Sequence, residues 1–203
     1  MRSLSLWTPH IVPEEEAPEE AKGCECCSLA RQRKRVIWGE GNPQAPLFIL
    51  LDNPGARETR EGEAFLCGTR ETLQEGLAAA GVGREEFYIS YLLKCRPVRA
   101  YDKEAARNAC RPHLELQLGE KKPQLLLALG NVAVQGWFGD PEAEVKALRG
   151  RWHTVQGIPT ACGYHPLAVR RRPVLRRLLA EDLEMVAARL EEWRKGAGRR
   201  QQE

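Results

Sequence analysis

The chain has no uninterrupted apolar run near the roughly 20 residues that cross a bilayer, which excludes a membrane span. Its first residues, Met1-Arg-Ser-Leu-Ser-Leu-Trp7, pass into acidic, proline-bearing sequence before any apolar stretch of signal-peptide length appears. Nothing there directs secretion, so the cytoplasm is the expected compartment. Disulfides are not expected either, because a reducing cytosol keeps thiols free and the seven cysteines are an odd number. Internal repeats are also lacking. Acid is missing where base is densest: residues 170–177 hold five arginines and no carboxylate.

What is present is 203 residues, 42% of them hydrophobic and 29% charged, enough for one core with a tail. The formal charge of +3 is unevenly spread. Residues 1–23 carry a net of −3, which leaves +6 on residues 24–203 and makes a polyanion a plausible partner of the folded part. Residues 8–23 combine proline and acid with little apolar content, so they are read as part of a disordered acidic leader spanning 1–23. A folded domain is expected over 24–195 and a basic tail over 196–203.

Four short apolar runs read as buried strands: Leu47 to Leu51, Phe87 to Leu93, Gln124 to Leu129 and Ile158 to Cys162. Between and after them, Glu71 to Ala80, Lys103 to Leu118, Asn131 to Phe138 and Val174 to Trp193 show apolar residues at helical spacing. Alternating strands and helices imply parallel pairing and an α/β layered sandwich whose ligand site lies beyond the carboxyl ends of the strands. The unusual residues cluster there. Asp52-Asn-Pro-Gly55, Lys94-Cys-Arg-Pro97, Gly130-Asn131 and Gly163-Tyr-His-Pro166 each follow one of the four runs. Any one of them alone reads as a turn, and their convergence on one mouth suggests a site.

Asp52 would project a carboxylate into that mouth, able to stabilise a developing cation or orient a water. His165 would project an imidazole, able to hydrogen-bond a departing anion. Together they suit a hydrolysis with charge separation. Arg170, Arg171 and Arg172 stand where a helix begins, a place that disfavours cations, so phosphate binding explains them better than a solvated face. Cys24 and Cys27 form a C-x2-C pair, and with Cys95 and Cys110 they could hold a zinc ion or a 4Fe-4S cluster, which spacing alone does not decide. Cys26 could compete as a ligand, while Cys67 and Cys162 read as core or pocket-wall residues.

The order of these pieces resembles the iron-sulfur uracil-DNA glycosylases of family four. The pieces are C-x2-C, Gly39-Glu-Gly-Asn-Pro43, a strand, an x-Pro-Gly turn, Phe-x-x-Gly, a strand ending Lys-Cys-Arg-Pro, a further Cys, Leu-Gly and His-Pro. The resemblance runs from about Cys24 to Leu190. It implies a three-layer α/β/α sandwich around a central four-stranded parallel sheet, and a 4Fe-4S cluster on Cys24, Cys27, Cys95 and Cys110. It also implies a DNA partner, base flipping and hydrolysis of an N-glycosidic bond. By the same resemblance Asp52 and His165 are catalytic, Phe65 stacks on the flipped base, and Arg170–Arg172 enter the minor groove. The protein is expected to act as a monomer, away from membranes.

Two departures bear on specificity. The family's first motif, Gly-Glu-Gly-Pro-Gly, is here Leu51-Asp52-Asn53-Pro54-Gly55, and Tyr91 stands where the family has a base-reading Asn. A phenol cannot reproduce the paired donor and acceptor of an amide, so uracil would be read less well, and Asn53 or Asn131 would have to supply the contact. The expected reaction is therefore excision of a base other than plain uracil, for example a modified cytosine of phage DNA. Uracil excision in repair is the alternative within the enzyme class. A catalytically inactive DNA-binding module is the alternative outside it. Covalent capture of the DNA sugar by a pocket histidine has no Arg/His-rich insertion to support it.

Overall fold

The computed structural model describes residues 8–56, 59 and 68–200. In chain order the elements are β1 (Glu14–Glu15), α1 (Glu19–Lys22), β2 (Gly39–Gly41), β3 (Leu47–Leu51), α2 (Gly68–Ala79), β4 (Phe87–Tyr91) and α3 (Lys103–Lys121). They continue with β5 (Leu125–Leu129), α4 (Asn131–Phe138), α5 (Val145–Leu148), β6 (His153–Val155), β7 (Ile158–Gly163), α6 (Pro166–Arg171) and α7 (Leu175–Arg200). Among the described residues no helix is long and apolar enough to cross a membrane.

The strands β3, β4 and β5 are buried end to end because the sheet is covered on both faces, which is why their sequences are continuous apolar runs rather than alternating ones. Alternate side chains still go to opposite faces. Leu47, Ile49, Leu51, Leu125, Leu127 and Leu129 join Leu73 and Leu77 of α2, Val169 of α6 and Leu179, Leu183, Val186 and Leu190 of α7 in one core. Phe48, Leu50, Leu126 and Ala128 join Leu114 and Leu118 of α3, Ala133, Val134 and Trp137 of α4 and Val145 of α5 in the other.

The expectation of a four-stranded parallel sheet needs correction. One mixed sheet of seven strands runs in the order β1-β2-β4-β3-β5-β7-β6. Its middle four pair in parallel, while β1, β2 and β6 add antiparallel edges. Those edges are two or three residues long, too short to leave a period-2 signal in the sequence.

The acidic segment is likewise not a free leader over residues 8–23. Glu14 and Glu15 pair with Glu40 and Gly39. The Glu15 carboxylate receives the Lys121 ammonium at 2.7 Å and the Tyr88 hydroxyl, and Arg35 donates to Glu14. Further back, the Gln74 side chain grips the His10 backbone twice, accepting from its N–H at 3.1 Å and donating to its carbonyl at 2.8 Å. Specific ion pairs and backbone pairing thus dock a segment whose low apolar content argued against order.

The position of the site follows from topology. β4 lies on one side of β3 and β5 on the other, and the helices after β3 and β5 lie on opposite faces. That places a switch point at the carboxyl ends of β3 and β5, where a crevice opens in sheets of this kind.

Candidate active site

Asp52 follows β3 directly, and its backbone carbonyl accepts from Leu93 N–H at 3.0 Å, which ties the turn to the end of β4. Its carboxylate Oδ1 accepts from the Asn53 N–H at 2.8 Å. His165 lies two residues beyond β7 and caps α6: its carbonyl accepts from Ala168 and Val169, and its Nδ1 accepts from Leu167 N–H at 3.1 Å. Pro166 suits the first helical position, since its missing N–H would have no partner there. Because Nδ1 is an acceptor, the neutral ring carries its proton on Nε2. That nitrogen faces Asp52 Oδ1 at 3.5 Å. The two residues, 113 positions apart in sequence, meet across the mouth.

Burial alone would raise the Asp52 carboxyl, but hydrogen bonding and charge from His165, with the backbone N–H groups of Asn53 and Asp52, outweigh it. The carboxyl is held below the ordinary range, so Asp52 is an anion at neutral pH. Gly130 supplies the room. It has φ +94 and ψ 154, a region closed to L side chains, and a Cβ there would stand 2.9 Å from the His165 Cβ.

Tyr91, Asn131 and Asn53, the described residues among those expected at the base, each make an internal hydrogen bond. Tyr91 is buried, with its hydroxyl accepting from the Arg70 guanidinium, which in turn pairs with Glu40 of β2. Asn131 accepts from Val145 N–H at 3.0 Å and so holds the start of α5. Asn53 lies beside Asp52, its amide N–H donating to the Pro54 carbonyl at 3.0 Å. Phe65 and Cys67 lie outside the described residues. Arg170, Arg171 and Arg172 are all exposed in and after α6, with the Arg170 guanidinium resting on the start of α2, where a Cβ at Gly68 would overlap it.

Sequence reasoning missed three nearby side chains. Tyr101 is within electrostatic reach of Asp52, and burial raises its phenol. Leu167 and Val174, 39% and 78% exposed, flank the arginines with apolar surface. An exposed leucine in a basic segment has no periodic signature, and only the structure distinguishes it from a core residue.

The metal expectation is overturned. Among the described residues no group of three or more His, Cys, Asp or Glu side chains is placed to hold a metal ion. Cys24, Cys26, Cys27, Cys95 and Cys110 do border one cavity, but its volume is about 20 Å³ and Ala21, Leu29 and Val36 share its wall. Burial pushes the Cys95 thiol up to about 12 and raises that of Cys110, which accepts from Lys94 N–H at 3.2 Å. Metal ligation needs thiolates, and burial at Cys95 and Cys110 favours thiols. Among the described residues Cys24, Cys27, Cys95 and Cys110 thus form no 4Fe-4S, iron-sulfur or other metal-binding centre. The C-x2-C spacing fixes neighbours in sequence, whereas in the fold Cys24 and Cys27 are half-buried and only Cys95 and Cys110 pack as buried hydrophobes.

The sheet order and the Asp52–His165 pair define an α/β fold with a candidate site at its strand ends. Residues 38–191 match the model of the uracil DNA glycosylase superfamily, and the chain belongs to that family. It is an enzyme of the N-glycosylase type. Among curated proteins it is 34% identical to a type-4 uracil-DNA glycosylase of Pyrobaculum aerophilum, over 82% of this chain and 89% of that protein. It is 31% identical to the type-4 uracil-DNA glycosylase of Thermotoga maritima, over 82% and 88%. A third relative is the DNA polymerase of Bacillus phage SP01, 21% identical over 81% of this chain and 18% of the polymerase.

Proposed function

We propose that the chain hydrolyses the N-glycosidic bond of a base flipped out of DNA, leaving an abasic site, and that the base is a modified pyrimidine, such as a modified cytosine of phage DNA, rather than plain uracil. One observation carries the reaction: Asp52 and His165 face each other at 3.5 Å beyond the ends of β3 and β7. As the bond from C1′ to the base nitrogen breaks, its electron pair leaves with the base and positive charge spreads over the sugar. The Asp52 anion stabilises that charge and orients a water toward C1′. The His165 Nε2–H donates to an oxygen of the departing base, where negative charge collects. Water adds its oxygen to C1′, and the proton it loses ends on the anionic base nitrogen, so the neutral free base and the abasic sugar result.

The choice of base rests on what surrounds the pair. The Tyr91 hydroxyl accepts from Arg70, and the Asn131 carbonyl oxygen is engaged by Val145. Neither is arranged as the paired amide that would read a uracil edge. Forgoing such a pairing in a buried site costs about 1–3 kcal/mol of discrimination. Phe65 is assigned the face of the flipped base. Arg170, Arg171 and Arg172 hold the DNA backbone, and the exposed Leu167 can wedge into the gap left by flipping. Residues 24–195 form the catalytic unit, acting as a monomer on DNA.

The test is base release from duplex and single-stranded oligonucleotides containing uracil, hypoxanthine, hydroxymethylcytosine or glucosylated hydroxymethylcytosine, with alkaline cleavage of abasic sites. Release of a modified cytosine in preference to uracil is expected. Release of uracil alone would refute the specificity, and no release from any substrate would refute the reaction.

A further inference from the structure

The groove between α3 and α4 lies on the sheet face opposite α2 and α7 and takes no part in the reaction described above. It is a cleft of about 330 Å³, within the size range of small-ligand sites. Leu92, Leu114, Leu118 and Trp137 form an apolar floor. Gly136 lets α4 sit close on Leu92, since a Cβ there would overlap that side chain.

The rim is polar and uncommitted. Arg107 and Arg111 stand one turn apart on α3, and neither has a hydrogen-bond or ion-pair partner among the described residues. Asn108, Gln135 and Gln156 add amides whose side chains are equally unengaged among the described residues. Glu104 and Glu115 also reach the rim without pairing to either arginine. An apolar floor, hydrogen-bonding edges of both kinds and two guanidinium groups match the three parts of a nucleotide: ring face, base edge and phosphate.

The cleft floor is tied through the backbone to the turn that carries Asp52. Leu92 of its floor donates its N–H to Leu51, the residue before Asp52, and Leu93 donates to Asp52 itself. At the other wall, Arg107 acts on the Tyr101 phenol, which also feels the Asp52 charge.

We infer that the α3/α4 cleft is a second nucleotide subsite, which takes the nucleotide next to the flipped-out one when the DNA strand is single. Its base lies over the Leu114 and Trp137 floor and its phosphates meet Arg107 and Arg111. In a duplex that nucleotide is paired and stacked and cannot enter. The identity of the polymer rests on the glycosylase reading, whereas the nucleotide-like chemistry of the cleft does not.

The experiment measures fluorescence anisotropy of a short labelled oligothymidylate carrying one deoxyuridine, single-stranded and as a duplex, with the wild-type chain and with Arg107→Gln/Arg111→Gln. Neither arginine has a hydrogen-bond or ion-pair partner among the described residues, so the variant keeps the fold. Single-strand affinity should fall about tenfold, and its salt slope should become shallower by about 1.4, the value for two phosphates on a single strand. Duplex affinity should stay within about twofold, because the two arginines do not reach phosphates there. Asn108→Asp, which sets a carboxylate beside both arginines, should weaken the single strand in the same sense. Unchanged single-strand affinity, or an equal loss on both forms, would overturn the subsite. Because binding is read without turnover, a chain that releases no base would fail the glycosylase reading while this result still stands or falls by itself.

Discussion

Gly130→Ala tests whether the position of His165 matters to the reaction. The new Cβ would stand 2.9 Å from the His165 Cβ and 3.5 Å from its Cγ and Cδ2. Carbon atoms prefer separations of about 3.5–4.0 Å, so His165 must retreat by roughly 0.6–1 Å. Alanine must also hold φ +94, which costs about 1–3 kcal/mol of stability. A displacement of about 1 Å at a reacting group costs on the order of 100-fold in rate. Gly139→Ala is the control, because it has φ +69 on the same helix but nothing within 4 Å of its Cβ. It should lose about 1 kcal/mol of stability and keep full activity. Single-turnover base release and urea unfolding would be measured on both. A stably folded Gly130→Ala chain that releases base at the wild-type rate would refute the role of His165, and equal rate losses in both variants would show that strain alone is responsible.

Replacing Arg170, Arg171 and Arg172 together by alanine should weaken duplex binding and flatten its salt dependence by about 0.9 for each phosphate no longer neutralised; an unchanged slope would remove them from the DNA interface. Glu40→Gln removes one carboxylate from the buried Arg70 guanidinium and should cost about 3 kcal/mol, seen as a lower urea midpoint at constant m; a shift below about 0.5 kcal/mol would show that the pair is dispensable. The Asp52 carboxyl is depressed in the folded chain, so its contribution to stability is complete above its unfolded value near 3.8 and is lost as pH falls through the folded value. The stability difference between wild type and Asp52→Asn should therefore be flat from neutral pH to about 5 and shrink only in stronger acid; a difference that vanished between pH 7 and 5 would contradict the depressed carboxyl.

The parallel centre of the fold is readable in the sequence because its strands are buried on both faces and so appear as uniform apolar runs. Leu47–Leu51 coincides with β3, and the run from Ile158 to Cys162 reaches β7 to within one residue. The helix expected over Asn131 to Phe138 forms over those residues. Edge strands of two or three residues bury too little to leave a pattern, and β2 consists of two glycines around Glu40. Docking of residues 8–23 depends on Arg35, Gln74, Tyr88 and Lys121, partners far away in the chain that local composition does not register. In the site, Asp52 and His165 are legible because each follows a strand, and strand ends converge. The diversion of Tyr91 to Arg70 and of Asn131 to Val145 is not legible, because a side chain's orientation depends on which helix packs beside it. The cysteines mislead for a related reason: spacing reports that ligands could meet, whereas the apolar wall of Ala21, Leu29 and Val36 decides what surrounds them.

The most direct measurement compares base release and DNA affinity for the wild-type chain and Asp52→Asn on whichever modified-base oligonucleotide the wild type cleaves. Removing the anion proposed to stabilise the sugar while keeping its size should slow release by about 10²–10³-fold, with affinity nearly intact. Release at the wild-type rate would contradict the catalytic pairing of Asp52 with His165, on which the assignment of the reaction depends.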